Sequence, residues 1–176
     1  KILNAMNRKH NILEYYKIIE DLKKANPNIK FSSDFIIGYP GETEDDFNQT
    51  LSLIEKIEFI NSYSFVYSAR PGTTASKLDN IDSDTAKKRL IKLQTVLEKN
   101  NYKYKKRFLN ESIEVLFENK LNKQNKYFGR DKFLNSVIVQ SEKDLTGQIL
   151  DIKIDDFNHN SLFGTILSNE KRNFAA

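Results

Sequence analysis

The sequence predicts an α/β region followed by a small all-β barrel of OB-like type. Three observations carry this. Residues 1–106 alternate helical and extended patterns in the order α-β-α-β-α, the repeating unit of a parallel sheet with helical crossovers. After about Arg107 the helical period vanishes and five short β-rich runs follow in about 60 residues. The strand-to-helix connections hold Gly and Pro, where an α/β fold places its ligand-binding turns.

In order along the chain, Asn11 is an N-cap with Glu14 at the capping-box position. Ile12, Tyr15, Tyr16, Ile19 and Leu22 recur at helical spacing until Asn26-Pro27-Asn28 stops the helix. Ile29 to Ile37 reads as a strand ending at Gly38-Tyr39-Pro40-Gly41. Thr43 caps a second helix with Phe47, Leu51, Ile54 and Ile57 on one face, and Ile60 to Tyr67 reads as a second strand. Ser68 to Asn80 is a loop containing Arg70-Pro71-Gly72. A long helix then runs from about Ser83 to about Lys106, with Leu90, Leu93 and Leu97 on its buried side. This order fits part of a TIM-like barrel or of an open doubly wound sheet.

The β-rich runs are 113–117, 126–130, 136–140, 147–154 and 162–167, with 170–176 as a frayed tail. The expected domains are therefore 1–106 and 107–169.

Composition narrows the chemistry. The chain is 39% hydrophobic and 30% charged, and no run approaches the ~20 apolar residues of a membrane helix. There is no apolar leader after Lys1, so a cytoplasmic protein is expected. The chain begins mid-pattern without Met, as a piece of a longer protein would. It has no cysteine, which excludes disulfides and thiolate-held metal within it, and two histidines are too few for an ordinary structural zinc site. Net charge is +4, with 18 basic and 14 acidic residues in 1–106 and 10 of each in 107–176. That mild bias is compatible with RNA.

Two motifs carry a family resemblance. Ser33-Asp34-Phe35-Ile36-Ile37-Gly38-Tyr39-Pro40-Gly41-Glu42-Thr43 resembles the fifth-strand motif of radical S-adenosylmethionine (SAM) methylthiotransferases. Tyr63-Ser64-Phe65-Val66-Tyr67-Ser68-Ala69-Arg70-Pro71-Gly72-Thr73 resembles the sixth-strand motif of their MiaB-type tRNA branch. Met6-Asn7-Arg8-Lys9-His10 is similar to the segment after their fourth strand, and the β-rich tail is similar to their RNA-binding TRAM domain.

The resemblance implies the end of a partial TIM-like radical-SAM barrel followed by a TRAM barrel. It implies insertion of a methylthio group at C2 of N6-isopentenyladenosine beside the tRNA anticodon. It also implies SAM and two [4Fe–4S] clusters as cofactors. The cluster cysteines lie in parts of the family absent here, so the fragment itself is expected to be inactive and its open strand edges to be poorly stable. Expected partners are the tRNA anticodon stem-loop and sulfur-donor or iron–sulfur assembly proteins, with no membrane.

By the same resemblance Gly38 to Thr43 forms a wall of the SAM pocket, with Ile36 or Ile37 touching the adenine, Gly38 leaving room for it and Ser68 and Ala69 beside it, and Arg8 binds the SAM carboxylate or a phosphate. Spacing alone favours a plain turn at Gly38–Thr43, with Glu42 as a first-turn carboxylate; the resemblance reverses the preference for the turn. Asp34 faces the cofactor or anchors the strand. Arg70, Lys126, Arg130, Lys132 and Asn135 are the RNA-binding candidates. The run Lys99 to Arg107, with Tyr102 and Tyr104, either meets RNA or packs its tyrosines inward. His10 carries no chemistry. Two related branches, acting on threonylcarbamoyladenosine in tRNA or on a ribosomal-protein aspartate, are alternatives. A free-standing RNA-binding module is an alternative of another class.

Overall fold

A computed structural model describes residues 1–121 and 125–167. The chain divides into two compact units, 1–101 and 102–176. The expected tail at 170–176 lies outside the described residues.

Unit 1 contains α1 (Ile2–Ala5), α2 (Ile12–Ala25), β1 (Asp34–Ile37), α3 (Glu44–Ile57), β2 (Tyr63–Val66) and most of α4 (Ser83–Lys106). Both predicted caps form. Asn11 Oδ1 accepts from the Leu13 and Glu14 amides at 2.9 and 3.0 Å, and Glu14 returns the bond to the Asn11 amide at 2.8 Å. Thr43 Oγ1 accepts from the Asp46 amide at 3.1 Å, and Asp46 accepts from the Thr43 amide at 2.9 Å. These bonds lower the Asp46 pKa.

The strands are shorter than expected. β1 pairs with β2 in parallel from Asp34↔Tyr63 to Ile37↔Val66. Upstream, the Ile60 amide reaches Phe31 O and the Ser33 amide reaches Ser62 Oγ, so the backbone leaves the ladder before the apolar pattern ends. The residues before Arg8, expected to end a strand, form instead the helical turn α1. Its i→i+4 bonds, such as Met6 N to Ile2 O at 2.9 Å, satisfy the backbone locally. Two parallel strands joined through a helix are one βαβ unit, common to the TIM-like and doubly wound alternatives.

Strand alternation sorts β1 cleanly. Phe35 and Ile37 enter a core with Phe47, Leu51, Ile54 and Ile57 of α3, Ile19 of α2, and Leu93 and Leu97 of α4. Asp34 and Ile36 face the other way, beside Tyr63 and Phe65 of β2, and that face is exposed. The inward stripe of α4 is Ala86, Arg89, Leu93 and Leu97. Leu90, expected inside, is half-buried, and its place is taken by an arginine.

Unit 2 contains β3 (Ser112–Lys120), β4 (Lys126–Arg130), β5 (Ser136–Gln140), β6 (Ile149–Phe157) and β7 (Ser161–Ile166). They close into a five-stranded barrel in the order β3-β4-β5-β7-β6, with β6 returning to β3. β5 and β7 run parallel and the other pairs antiparallel. Val115, Phe117, Tyr127, Val137, Val139, Ile152, Ile154 and Leu162 fill the interior.

Two bulges, at Phe117/Asn119 and Ile154/Asp156, each lie opposite a glycine, Gly129 and Gly164. A Cβ on Gly129 would come 2.5 Å from Leu116 O, and one on Gly164 would run into Lys153 O. The bulges bend the ladder and the glycines let backbones approach at the bends.

The last residues of α4 belong to this unit. The cationic run does not act as one surface. Tyr104 and Lys105 are buried, while Tyr102, Lys99, Lys103 and Lys106 are exposed. Lys105 is 2% exposed and donates to His159 O at 2.5 Å and Asn158 O at 3.4 Å, at the β6–β7 turn. Burial lowers its pKa.

Candidate functional site

In unit 1 the sequence candidates converge at the C-terminal ends of β1 and β2. The Tyr67 amide donates to Ile37 O at 2.7 Å, which aligns the two strand ends. Gly38 then turns the chain at φ +76°, a region favouring glycine, and a Cβ there would sit 3.1 Å from Ala86 Cβ. The Glu42 amide closes the turn on Tyr39 O at 2.9 Å.

The turn is held by a buried ion pair. Glu42 Oε2 accepts from the Gly38 amide at 3.0 Å and from Arg89 Nη1 at 2.9 Å. The same Nη1 donates to Glu42 O at 3.1 Å, and Nη2 lies 3.1 Å from Glu44 Oε2. The Arg89 and Glu42 side chains are 9% and 4% exposed. Glu42 is therefore not a first-turn carboxylate: it precedes the Thr43 cap. Its oxygen is consumed by a backbone donor and a guanidinium. Spacing had a signal for Arg89: a cation at the register of Ala86, Leu93 and Leu97 must find a buried partner.

The remaining candidates sort by exposure. Ile36 and Ile37, alternatives for the adenine contact, point to opposite faces. Ile37 is fully buried against the helices and offers a ligand no surface, whereas Ile36 is 37% exposed on the open face with Asp34. Ser68, Ala69 and Arg70 are exposed, and the Thr73 hydroxyl folds the loop back by donating to Arg70 O at 2.8 Å. Arg8 is exposed. Its segment is tied to the same turn, because Tyr39 Oη donates to Ala5 O at 2.8 Å and Lys1 Nζ to Gly41 O at 3.0 Å. His10 stacks on Tyr15 with ring centroids 5.7 Å apart. Tyr67 packs edge-on against Tyr39 at 5.1 Å, and its buried hydroxyl has no partner among the described residues.

In unit 2 the candidates cluster around β4 and the turn that follows it. Arg130 pairs with Glu118 at 3.1 Å and lies over the Phe128 ring at 5.2 Å. Lys126 is half-buried, and exposed Lys132 lies over Phe133 at 5.3 Å. Asn135, expected to meet RNA, is instead 2% exposed. Its Nδ2 donates to Tyr104 Oη and Asp131 Oδ2, each at 2.8 Å. Asp131 Oδ1 accepts from the Phe133 and Asn135 amides at 2.9 Å. This cage holds the turn with Leu134 at φ +62° and 67% exposed. Burial pushes the Tyr104 hydroxyl up to about 12.

No group of three or more His, Asp or Glu side chains among the described residues could hold a metal ion, and no helix among them is long and apolar enough to cross a membrane.

No family model matches the chain. Individual proteins do. The chain is 47% identical over 175 residues to a tRNA-2-methylthio-N(6)-dimethylallyladenosine synthase of Pelagibacter ubique, covering 99% of the chain and 39% of that protein. It is 43% identical over 169 residues to the synthase of that name from Ruthia magnifica, covering 96% and 38%. A third, from Wolbachia pipientis, is 40% identical over 167 residues, covering 93% and 38%. The chain thus spans somewhat more than a third of the length of these relatives. Over that stretch it is similar throughout to proteins named tRNA-2-methylthio-N(6)-dimethylallyladenosine synthase.

Proposed function

We propose that this chain is the C-terminal part of a MiaB-type tRNA methylthiotransferase, in which unit 1 ends a radical-SAM barrel and unit 2 is a TRAM domain. The parent enzyme adds a methylthio group at C2 of N6-isopentenyladenosine beside the anticodon. The observation that carries this is the pairing of the two family motifs. They lie on adjacent parallel strands and bring Gly38 and Ser68 to one end, where α/β folds bind ligands. The names of the relatives support this branch over the two related ones. Loss of the 2-methylthio group from tRNA of cells deleted for the full gene is the expected result; unchanged tRNA would sink the proposal.

The residues present fit one edge of a SAM site. Exposed Ile36 offers apolar area to an adenine, and Gly38, whose missing Cβ would meet Ala86, serves by turning the chain at that edge. Ser68 and Ala69 supply backbone groups beside it, and Arg8 a guanidinium for a carboxylate. When bound, SAM supplies the radical and the methyl group. The residues present do not fit the iron–sulfur clusters, which need thiolate ligands, because the chain has no cysteine. The chain alone is therefore inactive under this proposal.

For tRNA, the outer face of β4 and its turn carry the contacts. Lys126, Arg130 and Lys132 meet phosphate, exposed Arg70 of unit 1 meets phosphate or base, and Phe128 gives a ring on which a base stacks. Asn135 acts by shaping the turn. Lys132→Ala in the full-length protein is expected to weaken anticodon stem-loop binding and to lower the salt slope by about one. An unchanged slope would remove Lys132 from the interface.

A further inference from the structure

We propose that Glu42 and Arg89 are positioning residues for the cofactor, fixing the turn at the end of β1 so that Ile36 and the Ser68–Ala69 segment present one edge to SAM. The inference rests on the SAM-wall reading above; it gives Glu42 of the motif a role and adds Arg89 from outside it.

A buried ion pair is a weak source of stability, because desolvation offsets its attraction and an apolar pair of similar volume often serves as well. What this pair adds is geometry. One carboxylate oxygen takes the Gly38 amide and Arg89 Nη1 together, and that Nη1 also takes Glu42 O. The Gly38 amide is thereby tied to the Glu42 carboxylate, and Glu42 in turn to Arg89 on α4 through two oxygens. The turn needs such a hold, because Gly38 and Gly41 both sit at positive φ, at +76° and +81°, and glycine backbones deform easily. Ala86, three residues before Arg89 on α4, packs at the place a Gly38 Cβ would occupy. The Gly38 amide points to Glu42 and is not offered to a ligand.

The test uses the full-length protein with its clusters in place. Glu42→Met/Arg89→Met replaces the pair by apolar side chains. Its thermal midpoint is expected to stay within about 4 °C of the parent. SAM affinity, measured by equilibrium dialysis without reductant, is expected to fall about tenfold or more, because a small misplacement of a binding edge is felt strongly. KM for SAM should rise by the same factor with kcat nearly constant. Hydrogen exchange at Gly38 should accelerate.

Arg89→Lys keeps the charge but loses the rigid plane that sets Nη1 on Glu42 Oε2 and O while Nε and Nη2 meet Glu44, so an affinity loss of about threefold is expected. Glu42→Gln keeps an oxygen for Gly38 and should restore most of the affinity. Glu44→Gln, at a carboxylate that is 62% exposed, should leave it unchanged. Wild-type SAM affinity in a folded double variant or in Arg89→Lys overturns the proposal. Failure of the unsubstituted protein to bind SAM at all removes the function reading on which it stands, and is seen before any variant is made.

Discussion

The two units solve the same problem differently. The barrel of unit 2 brings its last strands back to its first, so every strand has two neighbours and a core of Val115, Phe117, Ile152, Ile154 and Leu162 is enclosed. The sheet of unit 1 has two strands and helices over one face, and leaves Ile36, Tyr63 and Phe65 exposed on the other. A closed ladder hides its own edges. An open one stores apolar area for something else to cover. The difference is one of closure: the ladder of unit 2 has no free edge, whereas unit 1 offers an open face and strand ends at which a ligand can sit.

Four measurements break or sharpen this contrast. Arg89→Ala strands the Glu42 carboxylate in a buried site, and unit 1 should lose about 3–5 kcal/mol. Denaturant unfolding followed by hydrogen exchange should show the loss in unit 1 and little change in unit 2. Gly164→Ala attacks the other unit at a bend of its ladder. Overpacking against Lys153 O should cost about 3 kcal/mol, seen as faster exchange in β6 and β7 with β1 and β2 unaffected.

Alkaline titration gives a smaller effect. The Tyr104 hydroxyl titrates at about 12 in the fold against an ordinary value of 10.0, chiefly through burial. The neutral form is favoured by folding, so its contribution is complete below pH 10 and is lost as pH rises to about 12. Lys105 has the opposite sign, since its lowered pKa favours folding as pH approaches 10.5. Above 10.5 that lysine is neutral in both states, and unit 2 should lose stability steadily. Circular dichroism across pH 10.5 to 12 checks this, and Tyr104→Phe should flatten the slope. Smallest of all, Phe65→Thr keeps a strand-forming residue on the open face and should change the chain's stability by no more than about 0.5 kcal/mol. In the full-length protein, where the barrel proposal covers that face, the same substitution should be clearly destabilising.

What the sequence could reveal follows the range of each interaction. The Asn11 and Thr43 caps are settled within three residues, and their signatures are readable. The five β-runs of the barrel are readable because alternation is a local property: β4 and β5 keep the expected bounds, and β3, β6 and β7 differ by a few residues at their ends. The face of β1 was not readable. Phe35, Ile36 and Ile37 are all apolar, and only the packing of α3 and α4 decides that Ile37 turns inward and Ile36 outward. Arg89 lies 47 residues from Glu42, and no local pattern joins them. Asn135 stands in a polar, turn-forming stretch that looks accessible, yet Asp131 and Tyr104 draw it inside.

Lys105 turns this burial into a reporter. Its amine is covered and bonded at the β6–β7 turn, while Lys99, Lys103 and Lys106 on the same helix are exposed. An amine-acylating reagent will mark those three within minutes and spare Lys105 for as long as the turn stays closed. Mass spectrometry of that single peptide can then follow whether the barrel is intact, in a cell extract as readily as in purified protein.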